Sequence, residues 1–314
     1  TCLPVYGSQI DDSQATGGIV IKPGTDGMNP VVAYGVVAGT RLLVCHIGGC
    51  AVIRATRTLF TDIAANYGVQ LAVTAEGAPV VGAMYLAYRQ MHVAICSDSV
   101  CTQVHETLIA EYMSVGWSMT LISGDQLFVT HFNQTNLLTT LCNNPQCSAT
   151  TTTAVVPTSG KLGLRATATA TQPNGKAIFV LSNFDDYTIN LVQCLSNDCA
   201  DHTLSTLLHG HSFGNSLFIH PATGAPVVGY SMIVLADGET AQHLVGGVVF
   251  CADIGCSEFA SNFTYGKLFS KTSMLFEAYR APRVTFWPDT RRAAVLFAND
   301  TWMQLTICTD SVCS

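Results

Sequence analysis

A pair of cysteines separated by four residues occurs six times along the chain. The pairs are Cys45/Cys50, Cys96/Cys101, Cys142/Cys147, Cys194/Cys199, Cys251/Cys256 and Cys308/Cys313. The first cysteines of successive pairs lie 51, 46, 52, 57 and 57 residues apart. A period of about fifty residues indicates an internal structural repeat, and this restricts the chain to a repeat architecture.

The sequence around the cysteine pairs predicts four strands in each repeat. In the second repeat they are QLAVTA (70–75), PVVGAMY (79–85), HVAIC (92–96) and CTQVHET (101–107), with a Gly- and Pro-containing turn between the first two. Six such sheets in series are typical of a β-propeller. The predicted fold class is therefore all-β: a six-bladed β-propeller with four antiparallel strands and one hairpin disulfide per blade. A long array of β-sandwiches is the alternative, but sandwiches do not repeat a four-strand unit at this spacing.

The repeats predict a single domain over residues 1–314. The blades cover approximately residues 17–60, 69–112, 117–157, 164–208, 215–268 and 282–314. The sixth repeat ends one residue after Cys313, which leaves no residues for its fourth strand. Because an unpaired edge favours pairing, we expect residues 1–16 to complete the sixth blade, in their own chain or in a neighbouring subunit. The second arrangement, repeated head to tail, would form a fibre.

Two chemistries fit the cysteine pairs. In a hairpin with a four-residue loop, the flanking residues face each other at a Cβ distance of about 4.5–5.5 Å, close to the distance that a disulfide needs. Zinc is the alternative, since a four-residue spacing lies at the edge of its ligand range. Zinc requires four ligands, however, and a propeller holds successive pairs apart. We therefore predict six disulfides, with no metal and no cofactor.

The composition disfavours two classes of partner. Hydrophobic residues make up 48% of the chain and the mean hydropathy is +0.34, yet no apolar run reaches the roughly 18 residues of a membrane-spanning helix. The apolar runs have the length of buried strands, so no membrane span is predicted. The net charge is −7, and the 14 Lys and Arg residues form no basic stripe. Nucleic-acid binding is therefore not expected.

Several features favour secretion. Twelve of the thirteen cysteines belong to regular pairs, as expected in an oxidising compartment. The first residue is Thr1 rather than Met, which suggests a processed end. Three sequons, at Asn133, Asn262 and Asn299, predict N-linked glycans. We expect a secreted extracellular glycoprotein.

In a propeller, the loops between second and third strands share one rim with the loops that lead to the next blade, and ligands usually bind there. Arg89, His131 and Asn133 fall in these predicted loops. The candidate ligand residues are Asp185, Asp186, Tyr187, His209, His211 and Trp302.

These candidates also have interpretations that involve no ligand. Asp185 and Asp186 could serve glycoside hydrolysis, but adjacent strand residues point to opposite faces and a solvated loop explains them. His209 and His211 could bind a metal, although the sequence suggests no third ligand, and a polar loop explains them. Trp302 resembles a sugar-stacking platform, or it is half-packed. No catalytic motif occurs in the sequence, so the chain is predicted not to be an enzyme.

The segment PVVGY, followed by a third strand and a Cys-x-Asp-x-x-Cys loop, resembles repeats of secreted microbial or algal propellers. The resemblance spans the whole chain and implies fold rather than ligand. The fifth repeat carries a long insertion, SMIVLADGETAQHLVGG (231–247), as a candidate for a specialised contact. We expect a non-enzymatic structural, cell-surface or fibre-forming subunit. The alternative is a carbohydrate-binding propeller, or a carbohydrate-active enzyme acting at the rim.

Cys2 is the thirteenth cysteine and has no partner in the repeat. If it links subunits, non-reducing electrophoresis will show a dimer that disappears in a Cys2→Ser variant. A monomer whose Cys2 reacts freely with a thiol reagent would contradict the covalent link.

Overall fold

The computed structural model describes residues 15–23, 29–37, 39–46, 49–61, 67–85, 89–113, 116–133, 135–157, 164–183, 187–235, 242–269, 283–286, 293–298 and 303–308. Within them the regular structure is β-strand, apart from a one-turn 3-10 helix at Ser123–Asp125. No helix in these ranges is long and apolar enough to span a membrane. The all-β prediction is confirmed.

The strands form antiparallel sheets in which each strand pairs with the next one along the chain. The first sheet contains β1 (Ala15–Pro23), β2 (Pro30–Val36), β3 (Gly39–His46) and β4 (Gly49–Leu59). The second contains β5 (Tyr67–Val73), β6 (Pro79–Tyr85), β7 (Gln90–Cys96) and β8 (Val104–Ala110). The third contains β9 (Trp117–Ile122), β10 (Gln126–Phe132), β11 (Asn136–Cys142) and β12 (Thr150–Pro157).

The remaining sheets continue the same order. The fourth contains β13 (Leu164–Thr171), β14 (Ala177–Asn183), β15 (Thr188–Cys194) and β16 (His202–His209). The fifth contains β17 (His211–Ile219), β18 (Pro226–Leu235), β19 (Gln242–Cys251) and β20 (Phe259–Phe269). The sixth is described over three strands, β21 (Arg283–Phe286), β22 (Ala293–Ala298) and β23 (Met303–Ile307). Four strands per repeat are thus confirmed for five repeats. Residues 1–14 lie outside the described residues.

The turn between first and second strands is built in the same way in several sheets. In the fourth sheet the Gly175 amide donates to the Gln172 carbonyl (2.8 Å), and Gly175 has a φ of 81°. Gly224 occupies the corresponding position in the fifth sheet, with a φ of 71°. Glycine adopts this left-handed conformation without a steric penalty. The Gly-rich segments that predicted these turns therefore serve a backbone requirement.

Five of the six predicted hairpin disulfides are present, with Cα–Cα distances of 4.7–4.8 Å. They join Cys45 to Cys50, Cys96 to Cys101, Cys142 to Cys147, Cys194 to Cys199 and Cys251 to Cys256. Cys308 is also disulfide-bonded, and its predicted partner Cys313 lies outside the described residues. Such bonds are typical of an oxidising environment.

The disulfide loops contain a hydrogen-bonded cap that the cysteine frame alone did not predict. In the second sheet the Asp98 carboxylate accepts from the amides of Val100 and Thr102, at 3.0 and 3.1 Å, and from the Thr102 hydroxyl. The Thr102 hydrogen bonds hold the pKa of Asp98 below its usual range. The same loop position is an acceptor in two further sheets, as Asn144 and Asp253. This cap stabilises the loop in which Cys101 has a φ of 58°.

Contacts divide the chain into two compact units, residues 1–113, 124–127 and 142–150, and residues 114–123, 128–141 and 151–314. In the first unit, β5 contacts β1 and β2. Apolar side chains of the first two sheets form one core there. The buried members include Val31, Ala33, Leu42, Val44, Leu71, Val81, Ala83 and Ala94.

In the second unit the first strands of successive sheets contact one another: β9 contacts β13, β13 contacts β17, and β17 contacts β21. Sheets that meet through their first strands are arranged as neighbouring propeller blades are. The cores between them are apolar, for example where Phe128 lies beside Phe179 with ring centroids 6.4 Å apart. Hydroxyl groups add hydrogen bonds, and the Thr169 amide donates to Ser118 Oγ at 3.1 Å.

The long insertion in the fifth repeat forms an extended hairpin. β18 and β19 are each ten residues long, against seven for β6 and β7, and their pairing continues to Leu235 opposite Gln242. Residues 236–241 lie outside the described residues. Deeper in this hairpin, Gly247 pairs with Tyr230, whose buried ring covers it.

Replacing Gly247 by Ala should therefore destabilise the protein. A Cβ there would lie 2.2 Å from Cζ and Oη of Tyr230, so the buried ring would have to move, at a cost of about 2–3 kcal/mol. Chemical unfolding with the disulfides intact measures this change. Gly255→Ala is the control, since its nearest neighbour, Asp253 Oδ1, is 3.5 Å away. Equal stability of the two variants would contradict the packing argument.

Candidate functional site

The structure describes some of the predicted ligand residues and leaves others outside. Tyr187 and His209 are described with their side chains. His211 begins β17, and only its backbone is described. The candidates Asp185, Asp186 and Trp302 lie outside the described residues, as do Cys2 and Asn299.

Tyr187 and His209 come together at one end of the fourth sheet. His209 ends β16 opposite Thr188, the residue that follows Tyr187. The Gly210 amide donates to the Tyr187 carbonyl at 2.6 Å, which joins the two loops. Tyr187 has a φ of 56°, and both side chains are exposed. Two of the predicted rim residues therefore form one exposed pair.

The second sheet carries a corresponding pair at the same end. The Met113 amide donates to the Arg89 carbonyl at 2.8 Å, as Gly210 does to Tyr187. Arg89 and Tyr112 have φ values of 51° and 55°, and the Tyr112 side chain is 72% exposed. Beside them Gln90 Nε2 donates to Glu111 Oε1 at 3.2 Å. We call Arg89, Gln90, Glu111 and Tyr112 the second-sheet rim cluster.

The sequence predicts a rim position for Arg89 but gives no such prediction for Gln90, Glu111 and Tyr112. Glu111 and Tyr112 directly follow the fourth strand, which the cysteine frame does not delimit at that end. The sequence feature that could have identified Tyr112 is its position two residues after the end of β8, where the chain must turn toward the next sheet.

An aromatic group lies under the same end of the second sheet. Tyr85 ends β6 opposite Gln90, and its ring packs edge-to-face with His92 (centroids 4.8 Å apart) and with Phe60 (6.1 Å). Glu106 Oε1 accepts from the Phe60 amide at 2.9 Å. Burial, and secondarily the Glu106 charge, raise the pKa of Tyr85 above its usual range. Burial lowers the pKa of His92, although Glu106 opposes that shift. Both rings are therefore neutral near pH 7 and act as packing groups.

The sequons occupy different kinds of position. Asn133 follows β10 in the loop before β11, as predicted, and its Oδ1 accepts from the amides of Thr135 (2.8 Å) and Asn136 (2.6 Å). With Oδ1 held in this turn, Nδ2 is the amide atom left for a glycan. Asn262 lies within β20, opposite Val249.

His131 corrects the rim prediction. It lies within β10 rather than in the following loop, and only 3% of its surface is exposed. Its Nε2 hydrogen-bonds to Thr140 Oγ1 at 2.9 Å, and Thr140 Oγ1 contacts Thr152 Oγ1 at 3.0 Å. Burial lowers the pKa of His131 to about 4. His131 is thus a neutral core residue.

No group of three or more His, Cys, Asp or Glu side chains suited to a metal occurs within the described ranges. Within the described residues, the exposed rim groups identified above are the pair Tyr187 and His209 and the second-sheet rim cluster.

No protein-family model matches the chain, and no curated protein matches it in sequence. Among solved structures it is similar to the dihydro-heme d1 dehydrogenase NirN in complex with DHE, with a TM-score of 0.54, 13% identity and coverage of 95% of this chain. The chain spans 55% of NirN. At this identity the likeness concerns the fold alone and bears on enzymatic activity neither way.

Two weaker similarities are to the Dos1 propeller and to a protein from Lactobacillus plantarum. The Dos1 propeller gives a TM-score of 0.48 at 14% identity, over 84% of this chain and 62% of that one. The Lactobacillus plantarum protein gives a TM-score of 0.47 at 12% identity, over 96% and 85%.

Acidification should test the burial of His131. In the unfolded chain a histidine has a pKa near 6.5, so between about pH 6.5 and 4 the unfolded state binds a proton that the folded state does not. The free energy of unfolding should fall by about 3 kcal/mol over this window as the pH decreases. Denaturant titrations at several pH values measure it. His131→Gln should lose this part of the pH dependence, and an unchanged pH profile in that variant would refute the assignment.

Proposed function

We propose that the protein is a secreted, glycosylated and non-enzymatic structural protein, a six-bladed propeller whose sixth sheet is completed by residues 1–14, the part of the predicted segment 1–16 that precedes β1. The strand comes from the same chain in a closed monomer, or from the next subunit in a head-to-tail fibre. The observation that supports the proposal is that β23 has an exposed edge in the described part of the chain.

β23 pairs with β22 and has no second neighbouring strand in the part of the chain that the structure describes. Ile307, its last residue, is 53% exposed. Residues at the same position in the other third strands, directly before the first cysteine, are less exposed: Val44, Leu141 and Phe250 are buried, and Ile95 and Gln193 are half-buried. Those strands have a fourth strand beside them, so a strand added to β23 would cover Ile307. An exposed apolar strand edge otherwise favours uncontrolled association.

The disulfides support a role outside the cell. Each closes a loop of about six residues, and in the entropic description one such bond stabilises the fold by roughly 2 kcal/mol. A disulfide in the hairpin loop of nearly every sheet limits local unfolding at that end of the sheet. Durability of this kind suits a structural component in an oxidising environment.

Electron microscopy of the full-length protein tests the proposal, together with a variant lacking residues 1–14, which leaves β1 intact. In a fibre, the filaments should disperse on truncation. In a closed monomer, truncation should lower the melting temperature and cause aggregation through β23. A monomer that is unaffected by truncation would refute both arrangements.

A charge at the edge provides an independent variant. Ile307→Lys should prevent strand addition, because a lysine on an edge strand opposes pairing. Val52→Lys is the control, since Val52 is also an exposed apolar side chain, on β4.

A second function, carbohydrate binding at the rim, has a specific observation in its favour. Tyr187 and His209 are both exposed and are joined through the hydrogen bond between Gly210 and Tyr187. An exposed tyrosine and an exposed histidine at one end of a sheet supply a stacking face and a hydrogen-bonding ring, which sugar recognition uses.

A further inference from the structure

We propose that the second-sheet rim cluster, formed by Arg89, Gln90, Glu111 and Tyr112, is a binding site for a neutral saccharide. The inference rests on the rim function proposed above and assigns it to four residues, of which the sequence identified only Arg89. It needs no contribution from the fourth sheet.

Backbone strain is the first observation. Arg89 and Tyr112 both have left-handed backbones, with φ values of 51° and 55°, although neither is Gly, Asn or Asp. Such a conformation is unfavourable for a residue with a Cβ. Phe60 has the same backbone conformation after β4, but its side chain is buried in the core, whereas the Tyr112 side chain is exposed. The exposure of Tyr112 is therefore the feature to be explained.

The second observation is that these side chains are available to a ligand. The Tyr112 ring is 72% exposed and Arg89 is also exposed. Neither the Arg89 guanidinium nor the Tyr112 hydroxyl makes a hydrogen bond to the described part of the chain.

The polar groups beside the ring are already ordered. Gln90 Nε2 donates to Glu111 Oε1 at 3.2 Å, which leaves the Gln90 carbonyl, the second Glu111 oxygen and the Arg89 N–H groups for a ligand. The four side chains together offer donors and acceptors with no net charge. A row of sugar hydroxyls matches this mixture, whereas for a carboxylate or phosphate ligand the attraction of Arg89 is opposed by the charge of Glu111.

The cluster also stands on a rigid base. Met113 is 1% exposed, and its amide bonds to the Arg89 carbonyl, so it anchors Tyr112 from below. Gln90 lies opposite Tyr85, whose ring is fixed by Phe60 and His92. Sites on rigid elements lose little entropy when they bind. A pyranose ring stacked on Tyr112 would place its hydroxyls toward Arg89, Gln90 and Glu111.

Isothermal titration calorimetry on the full disulfide-bonded chain tests the site. The probes are cello-, xylo-, manno- and chito-oligosaccharides, with an oligogalacturonate as the charged comparison. Tyr112→Asn removes the ring, and Asn tolerates a left-handed backbone. We expect at least tenfold weaker binding of one neutral oligosaccharide, with a melting temperature equal to or above that of the natural protein. Tyr112→Phe should bind within about threefold, and Leu204→Asn, on the exposed outer strand β16, should bind normally.

The outcomes separate this inference from the broader rim function. If Tyr187→Asn abolishes saccharide binding and Tyr112→Asn does not, rim binding stands and the second-sheet site is refuted. Binding of the oligogalacturonate alone would refute the neutral ligand. Binding of none of the probes would refute both proposals.

Discussion

The structure depends on apolar contact between sheets. A strand such as β6 is buried along its whole length, so both of its faces need cover, and a four-stranded sheet cannot supply that cover alone. Each sheet therefore obtains it from its neighbours, as the first and second sheets do through Leu42, Val81 and Ala83. This requirement accounts for the repetition of the unit, for the high hydrophobic content and for the small share of charged residues.

The two ends of each sheet differ in chemistry because the connections differ. At one end lie the first turn and the disulfide loop, where Gly175 and the cap on Asp98 satisfy backbone groups within a few residues. At the other end the strand connections leave exposed side chains on strained backbones, as at Arg89 and Tyr112. The disulfide end is thus covalently restrained, whereas the rim end presents side chains such as Tyr112 to solvent.

Sequence reasoning worked best where a backbone constraint has one solution. Cysteines four residues apart can meet only across a tight hairpin, and a glycine in PNG or ATG can supply the left-handed turn residue. It worked less well at the rim. His131 was assigned to a loop although it completes β10, since strand ends are set by pairing with β11 and not by composition. Tyr112 was missed because the cysteine frame does not mark where β8 ends, and its position near the start of β7 depends on the pairing of β7 with β8.

The sequence by itself determined the repeat, the strand content, the turns and the disulfide pairing of five hairpins, because each of these depends on residues within one repeat. Tertiary structure decided which side chains meet: Tyr230 over Gly247 and His131 against Thr140 within a sheet, and Phe128 beside Phe179 between sheets. These contacts depend on strand register and on the packing of one sheet against the next. Such three-dimensional distances are not encoded in the local spacing of any motif.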